Sequence, residues 1–427
     1  MEVPEERVNL RVAFCNYRYF VSGGPERYLF SLKDVLEQRD HQVLPFSVAY
    51  EQNRATPYSR YFVSPPGRPD QVYFRDLTLS FPQKVRFGLN TVYSLETRRK
   101  MDAFLRAENP DLVHTFQINT YLSYSLLDAC YHRGVPVVSR MSTFQLICPM
   151  ELFFRDGKVC EACKKTILSA VRYRCIQNSL PASLLRVAGL GLFRWTRFFR
   201  RINAFMVPSR FLGEKMVEYG FPRGRIHHIP SFLDTREIRP VYKNQGYILY
   251  FGRIAPEKGV MDLVRAYERL KPRQSLKVVG DIGSPEAQRI RSYVKNRGIP
   301  GITFYDFMDM ERLRKVIEGA LFTVCPSIWY ENTPMSVYES LALGKPVIGS
   351  RLGSLPEQIL EGRTGLLFQP GEADDLAEKM AFFLSHSRSA VEMGKEGRRM
   401  IEEKHSPDVH YRAVHRLYRH VLKSRRG

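Results

Sequence analysis

The sequence lacks the features that mark several large protein classes. No run reaches the roughly 18 consecutive apolar residues of a membrane-spanning helix. The opening Met1-Glu2-Val3-Pro4-Glu5-Glu6 carries acid where a secretory leader carries base, so a cytosolic protein is expected. Cysteines number seven, an odd count that does not suit a secreted disulfide framework. No Gly-x-Gly-x-x-Gly follows the first strand candidate, which argues against a dinucleotide-dependent dehydrogenase. Helix-turn-helix, zinc-finger and RNA-binding-sheet motifs are missing too, so nucleic acid is not the expected partner. Acid is absent from one long stretch: between Glu161 and Glu214 there is no Asp or Glu, against ten Lys or Arg.

What is present is a basic, globular chain. Its 427 residues favour two or three domains, and 44% are apolar, enough for a buried core. Lys and Arg total 65 against 44 Asp and Glu, a formal charge of +21, which predicts attraction to an anionic nucleotide, bilayer or nucleic acid. The strand candidate Leu10–Phe14 leads through Ser22-Gly23-Gly24-Pro25 into an amphipathic segment from Glu26 to Arg39. Strand, glycine turn, helix is the first unit of a nucleotide-binding α/β fold. The unit recurs around Leu112–His114, Val135–Ser139 and Ala204–Ser209, then again from Gly246 to Gly252, Leu276 to Gly280, Ile302 to Tyr305, Ala320 to Cys325 and Pro346 to Ser350. Alternation of this kind predicts parallel sheets covered on both faces. A long helix is expected from Pro407 to Lys423.

Two segments carry chemistry. In Cys325-Pro-Ser-Ile-Trp-Tyr-Glu331-Asn-Thr333-Pro334-Met-Ser-Val-Tyr-Glu339, a strand ends near Pro326 and Thr333-Pro334 reads as an N-cap and first helical residue. Glu331 then lies in the loop at the strand's carboxyl end and Glu339 in the helix's second turn, both toward the crevice where open α/β sheets bind ligands. The helix start offers unpaired N–H groups to a diphosphate. In Phe251-Gly252-Arg253-Ile-Ala-Pro-Glu-Lys258-Gly259, two cations on a glycine-bearing loop suit a diphosphate leaving group without a metal. A third turn, Gly353-Ser-Leu-Pro356-Glu357, closes another strand end.

In this order and spacing these segments resemble the donor domain of glycosyltransferase family 4, a large retaining group, over nearly the whole chain. The resemblance implies an α/β chain of GT-B architecture: two Rossmann-like parallel-sheet domains facing a central cleft, with the C-terminal helix crossing back to the N-terminal domain. Residues 1–229 would form the acceptor-side domain with a Cys-rich insertion at 148–175, residues 230–244 the linker, 245–405 the donor domain and 406–427 the C-terminal helix. It implies that Glu331 meets the donor sugar, that Glu339 holds the ribose, and that Arg253 and Lys258 clamp the diphosphate. Gly23 and Gly24 would lie near phosphate and acceptor, with Thr333 at the helix start. Ser142, in Arg140-Met-Ser142-Thr-Phe144, stands where many relatives place a histidine that touches the donor sugar; His114 is an alternative candidate, or a structural histidine at a strand end. The expected reaction moves a sugar from a nucleotide-diphosphate donor to a hydroxyl on a glycan or lipid-linked glycan, as in cell-surface polysaccharide synthesis. It retains configuration by front-face attack and needs no cofactor for chemistry. The competing readings are a basic nucleic-acid or anionic-surface binder without transferase activity, and a relative doing epimerisation or phosphorolysis.

Two features stand outside that frame. Cys148, Cys160, Cys163 and Cys175 follow Cys-x11-Cys-x2-Cys-x11-Cys, a spacing that suits a structural zinc site, with an iron–sulfur cluster or four reduced thiols as alternatives. A helix over Ser183–Arg201 would carry Leu184, Leu185, Leu192, Trp195 and Phe199 beside cations. That suits a peripheral protein on the inner face of an anionic membrane. The alternative is an ordinary helix with its apolar face packed inward.

Overall fold

The computed structural model describes residues 9–72, 77–118 and 121–424; the acidic Met1–Glu6 run lies outside them. The first half of the chain lays down strands β1 (Arg11–Cys15), β2 (Gln42–Phe46), β3 (Leu112–Thr115) and β4 (Val137–Arg140). A small hairpin of β5 (Phe154–Arg155) and β6 (Lys158–Val159) follows, then β7 (Ala204–Val207) and β8 (Ile226–His228). The second half builds β9 (Tyr247–Phe251), β10 (Ser275–Val279), β11 (Ile302–Tyr305), β12 (Ala320–Cys325), β13 (Val347–Ser350) and β14 (Gly365–Phe368). Residues 229–246 between the halves form neither strand nor helix.

One sheet runs β2-β1-β3-β4-β7-β8 and the other β11-β10-β9-β12-β13-β14, each of six strands. All pairings in both are parallel. Central strands such as Tyr247-Ile-Leu-Tyr-Phe251 are buried along their whole length, because helices cover both faces and no residue can be left for water. In each sheet the chain steps outward, then returns to the far side of its first strand. The reversals fall between β1 and β3 and between β9 and β12. Neighbouring loops part at such points, so each sheet opens a crevice beyond its strands' carboxyl ends.

The last helix, Pro407–Lys423, follows the second sheet in sequence but packs on the first. Its residues Val414, Leu417, Tyr418 and Val421 recur at helical spacing and are buried with Leu10, Val12 and Phe14 around β1. Burying each large apolar side chain contributes about 1.5–3 kcal/mol, so this stripe fixes the helix firmly. Polar contacts set its register: Tyr418 Oη lies 2.6 Å from His114 Nδ1, and Tyr28 Oη 2.8 Å from His410 Nε2. An aspartate at Val414, which is fully buried, would put an uncompensated charge in that core and detach the helix.

Candidate active site

Glu331 sits in the loop leaving β12 and is 4% exposed. Three donors converge on its Oε1: Lys258 Nζ at 2.7 Å, Trp329 Nε1 at 2.9 Å and the Ser327 hydroxyl. Burial pushes the carboxyl up, but the Lys258 charge and these hydrogen bonds outweigh it and hold it below the ordinary carboxylate range. Two glycines make this convergence sterically feasible. Gly259 has φ +66°, and a Cβ there would fall 1.9 Å from Pro326 O; Gly353 has φ +61°, and its Cβ would fall 2.8 Å from the Glu331 backbone. The loops after β9, β12 and β13 therefore touch backbone to backbone, with Ile328 N donating to Glu257 O and Ser354 N to Glu331 O, each at 3.0 Å.

Glu339 is one of the residues of the helix Met335–Ala342. Burial pushes its carboxyl above the ordinary range, opposed by the charges of Arg27 and Arg314. Arg27 comes from the opposite domain, with Nη1 3.6 Å from Glu339 Oε1. It lies in the first turn of the helix Gly24–Glu37, capped by Gly23, so the glycine turn and the second carboxylate face each other across the cleft. A Cβ on Gly24 would meet nothing within 4 Å. Glycine there leaves space beside the helix start rather than relieving strain.

The other expected residues are placed less simply. Arg253 does not join Lys258 and Glu331: its Nη2 donates to Glu257 Oε1 at 2.6 Å and the side chain is 58% exposed. Thr333 is not the N-cap. Pro334 takes that place with ψ 116°, extended rather than helical, so the helix begins at Met335 and the Thr333 hydroxyl turns back to Asn332 O. Gly24 is already helical, two residues ahead of the expected start. Ser142 reaches the donor loop through its backbone, accepting from Asn332 Nδ2 at 3.0 Å. His114 is buried against Tyr418, away from the cleft.

Several residues that join the domains were not singled out from the sequence. Asn332 is buried and ties β12's loop to Met141 O, Ser142 O and the Ser209 hydroxyl. Glu357 accepts from the N–H groups of Arg210 (2.8 Å) and Phe211 (2.7 Å), the exposed start of the helix Arg210–Glu218. Tyr330, next to Glu331, donates to Glu161 Oε1 at 2.6 Å and packs among Phe144, Phe153 and Phe211. The signal was at hand: Tyr330 and Asn332 flank Glu331 in its own motif, and Glu357 ends the third turn.

The four clustered cysteines line one cavity of about 20 Å³, while among the described residues no three His, Cys, Asp or Glu side chains are drawn up to the spacing of a metal site. The expected helix over Ser183–Arg201 is broken in two: an α-helix over Leu180–Trp195 ends before Arg197, left-handed at φ 52°, and a one-turn helix Phe198–Arg201 follows. Leu184, Leu192 and Trp195 are exposed (55%, 43% and 84%). Leu185 and Phe199 turn inward instead, against Gly88 and Phe221 respectively. The helix Phe81–Val92 packs beside it, a Cβ on Gly189 falling 3.6 Å from Val92 Cα, and leaves its own row of Phe81, Val85 and Leu89 exposed (79%, 48% and 64%). Among the described residues no helix is long and apolar enough to cross a membrane.

Residues 22–237 match the family described as Glycosyltransferase Family 4, and residues 232–400 match Glycosyl transferases group 1. An alpha-maltose-1-phosphate synthase of Mycolicibacterium smegmatis is 30% identical over 174 residues, covering 38% of this chain and 44% of that protein. The matches thus span less than half the length of such curated relatives. Among solved structures, sucrose-phosphate synthase from Thermosynechococcus elongatus superposes with a TM-score of 0.70 at 18% identity, over 97% of this chain and 100% of that one. The Anabaena protein HepE in complex with UDP and glucose gives 0.63 at 14% identity, over 96% and 99%. These structural likenesses are of fold, and they carry the expected two-domain α/β architecture.

Proposed function

The chain belongs to glycosyltransferase family 4 and has the GT-B fold, and from that premise we propose that it moves a sugar from a nucleotide-diphosphate donor to a hydroxyl with retention of configuration. The observation that carries the reading is the pairing of Glu331 with Lys258 on one wall of the cleft, with Glu339 facing Arg27 beside it. All three hydrogen bonds to Glu331 fall on Oε1, which turns Oε2 to the donor sugar's hydroxyls. Glu339 takes the ribose. Lys258 lies within reach of the diphosphate, and Arg253, exposed and paired with Glu257, swings onto it when donor binds.

The bond from the anomeric carbon to the diphosphate oxygen breaks, and charge grows on the leaving group. Lys258 and Arg253 stabilise that charge, the role a divalent ion plays elsewhere. The acceptor oxygen attacks from the same face, and its proton passes to the departing phosphate oxygen, giving a glycoside and a nucleoside diphosphate. The rest is positioning of the two substrates.

The acceptor we propose is a glycan carried on lipid, for cell-surface polysaccharide assembly. Support comes from the two exposed apolar rows in the basic face around Leu180–Trp195 and Phe81–Val92, which fit an anionic bilayer surface. A thermal-shift screen against UDP-, GDP- and ADP-sugars tests the donor reading, uridine first because the solved HepE holds UDP and glucose. One series is expected to raise Tm for the wild type and much less for Glu339→Ala. No stabilisation by any series, with Glu339→Ala behaving alike, rejects the transferase in favour of a basic binding protein. The anomeric proton coupling of the product, read by NMR, decides retention.

A further inference from the structure

The segment from Cys148 to Cys175 follows a path that its own packing does not explain. Among the described residues its regular structure amounts to β5, β6 and the one-turn helices Ala162–Lys164 and Ser169–Arg172. Glu151, Phe153, Asp156 and Arg174 are all left-handed, with φ of 67°, 49°, 50° and 47°, a conformation that costs L-residues roughly 1 kcal/mol or more each. Phe153 and Ala170 anchor these 28 residues in the core, but regular structure between the anchors is confined to these short pieces.

The four cysteines converge where a staple would lie. They come from both ends and the middle of the segment, yet all line the cavity of about 20 Å³, closed by Pro149, Met150, Phe153, Phe154, Arg155 and Ala170. A soft cation suits the same setting, because thiolate sulfur is its preferred ligand. The other three cysteines stand apart, in β1, β12 and the helix Ser125–His132.

We infer that Cys148, Cys160, Cys163 and Cys175 form a closed, structural zinc site that fixes this insertion. Among the described residues the four side chains share one cavity without standing at coordination spacing. A bound zinc ion would draw the sulfurs in to about 2.3 Å. The place of the site gives it a purpose. Glu161, between two of the ligands, receives Tyr330 Oη and the Lys215 ammonium (2.9 Å), and Tyr330 adjoins Glu331. Gly157, Lys158 and Val159 at the hairpin share with Pro256, Gly259 and Ile328 a cavity of about 440 Å³ that lies beside the Lys258–Glu331 pair in sequence but is not lined by it. The zinc would thus hold the Glu161–Tyr330 contact next to Glu331. That last role rests on the proposed transfer; the metal assignment does not.

The test is metal content. Full-length protein without a polyhistidine tag, purified without chelator, is analysed by plasma mass spectrometry, and the metal is titrated out with a mercurial in the presence of a zinc dye. The expected result is about one zinc per chain, released as four thiols react, falling below about a tenth in Cys163→Ser and Cys175→Ser and unchanged in Cys130→Ser. Should the serine variants fail to fold, the mercurial titration of the wild type decides alone. Wild type without stoichiometric metal after incubation with zinc, disulfides among the four on mass spectrometry, or full zinc in both serine variants each overturns the site.

Discussion

Lys258 Nζ stands 2.7 Å from Glu331 Oε1, and the carboxylate is buried while the lysine is 18% exposed. Breaking a buried pair by removing one partner costs about 3–5 kcal/mol, and the partial access of water to Lys258 places this one at the low end. Lys258→Met is expected to destabilise the chain by about 3 kcal/mol in urea at pH 7 and to lower kcat/KM by about 10²–10³. The sign of the pH dependence follows from the lowered Glu331 pKa. Its stabilisation is present above the ordinary carboxylate pKa and is lost as pH falls through the lowered value. The gap between wild type and variant should therefore narrow below about pH 4.

Glu357 acts across the domain boundary as a borrowed cap. The first N–H groups of a helix have no partner within it, and a carboxylate there also meets the positive end of the helix dipole. Loss of such a cap costs about 0.5–2 kcal/mol. Glu357→Ala should lose about that much in urea unfolding and raise KM for the donor more than it lowers kcat, since it loosens the contact between the domains and leaves the reacting groups in place. An unchanged KM would show that the contact does not shape the donor site.

The seat of the C-terminal helix is a pH sensor of stability through its histidines. Burial, aided by the Arg140 charge, lowers His114 to about 3; burial and His415 lower His41 to about 4, and burial lowers His410 well below its ordinary value. These rings stay neutral when folded but take up protons when unfolded below about pH 6.5. The unfolded state then binds more protons, so stability falls as pH drops from about 6.5 toward these lowered values. Each histidine held fully neutral steepens the slope by up to about 1.4 kcal/mol per pH unit. Urea midpoints at pH 7, 6 and 5 should fall in wild type and less steeply in His114→Gln; parallel curves would show that His114 titrates freely.

The parts of the fold read most securely from sequence were those buried on both faces. Gly246–Gly252 brackets β9 and Ala320–Cys325 coincides with β12, because a parallel strand covered by helices is a nearly unbroken apolar run; Ile302–Tyr305 coincides with β11 although that edge strand is only half-buried. Among the strands missed, β2 contains Pro45, which lacks an N–H, β8 is a three-residue edge strand, and β14 is a short buried run that opens on Gly365. Lys258 and Glu331 were each legible because both lie on loops at strand ends, but their pairing with each other was not. Arg27, Glu161 and Glu357 were not, since their meaning comes from the opposite domain and no local spacing encodes it. The Thr333 cap failed for a local reason, the extended ψ of Pro334.

The membrane reading turns on two helices together. The row at Leu184, Leu192 and Trp195 alone has the look of an ordinary amphipathic helix, but the parallel row at Phe81, Val85 and Leu89 leaves a second apolar stripe exposed beside it. Neither Phe81–Val92 nor Leu180–Trp195 contains an acid, and Lys84, Arg197 and Arg200 are exposed nearby. Wedges of leucine and aromatic side chains with cations around them bind a bilayer by burying the first and attracting lipid phosphate with the second. Flotation should carry the protein up with vesicles of phosphatidylcholine containing roughly a third phosphatidylglycerol, more weakly at high salt, and poorly with phosphatidylcholine alone. Phe81→Glu/Leu89→Glu and Trp195→Glu should each cut the bound fraction about tenfold or more while leaving the donor-induced Tm shift intact, because both rows lie outside the cleft. Variants that float as well as wild type would return these rows to the protein's own contacts, and a wild type that runs as a dimer on light scattering, monomeric in the variants, would assign them to a second copy of the chain.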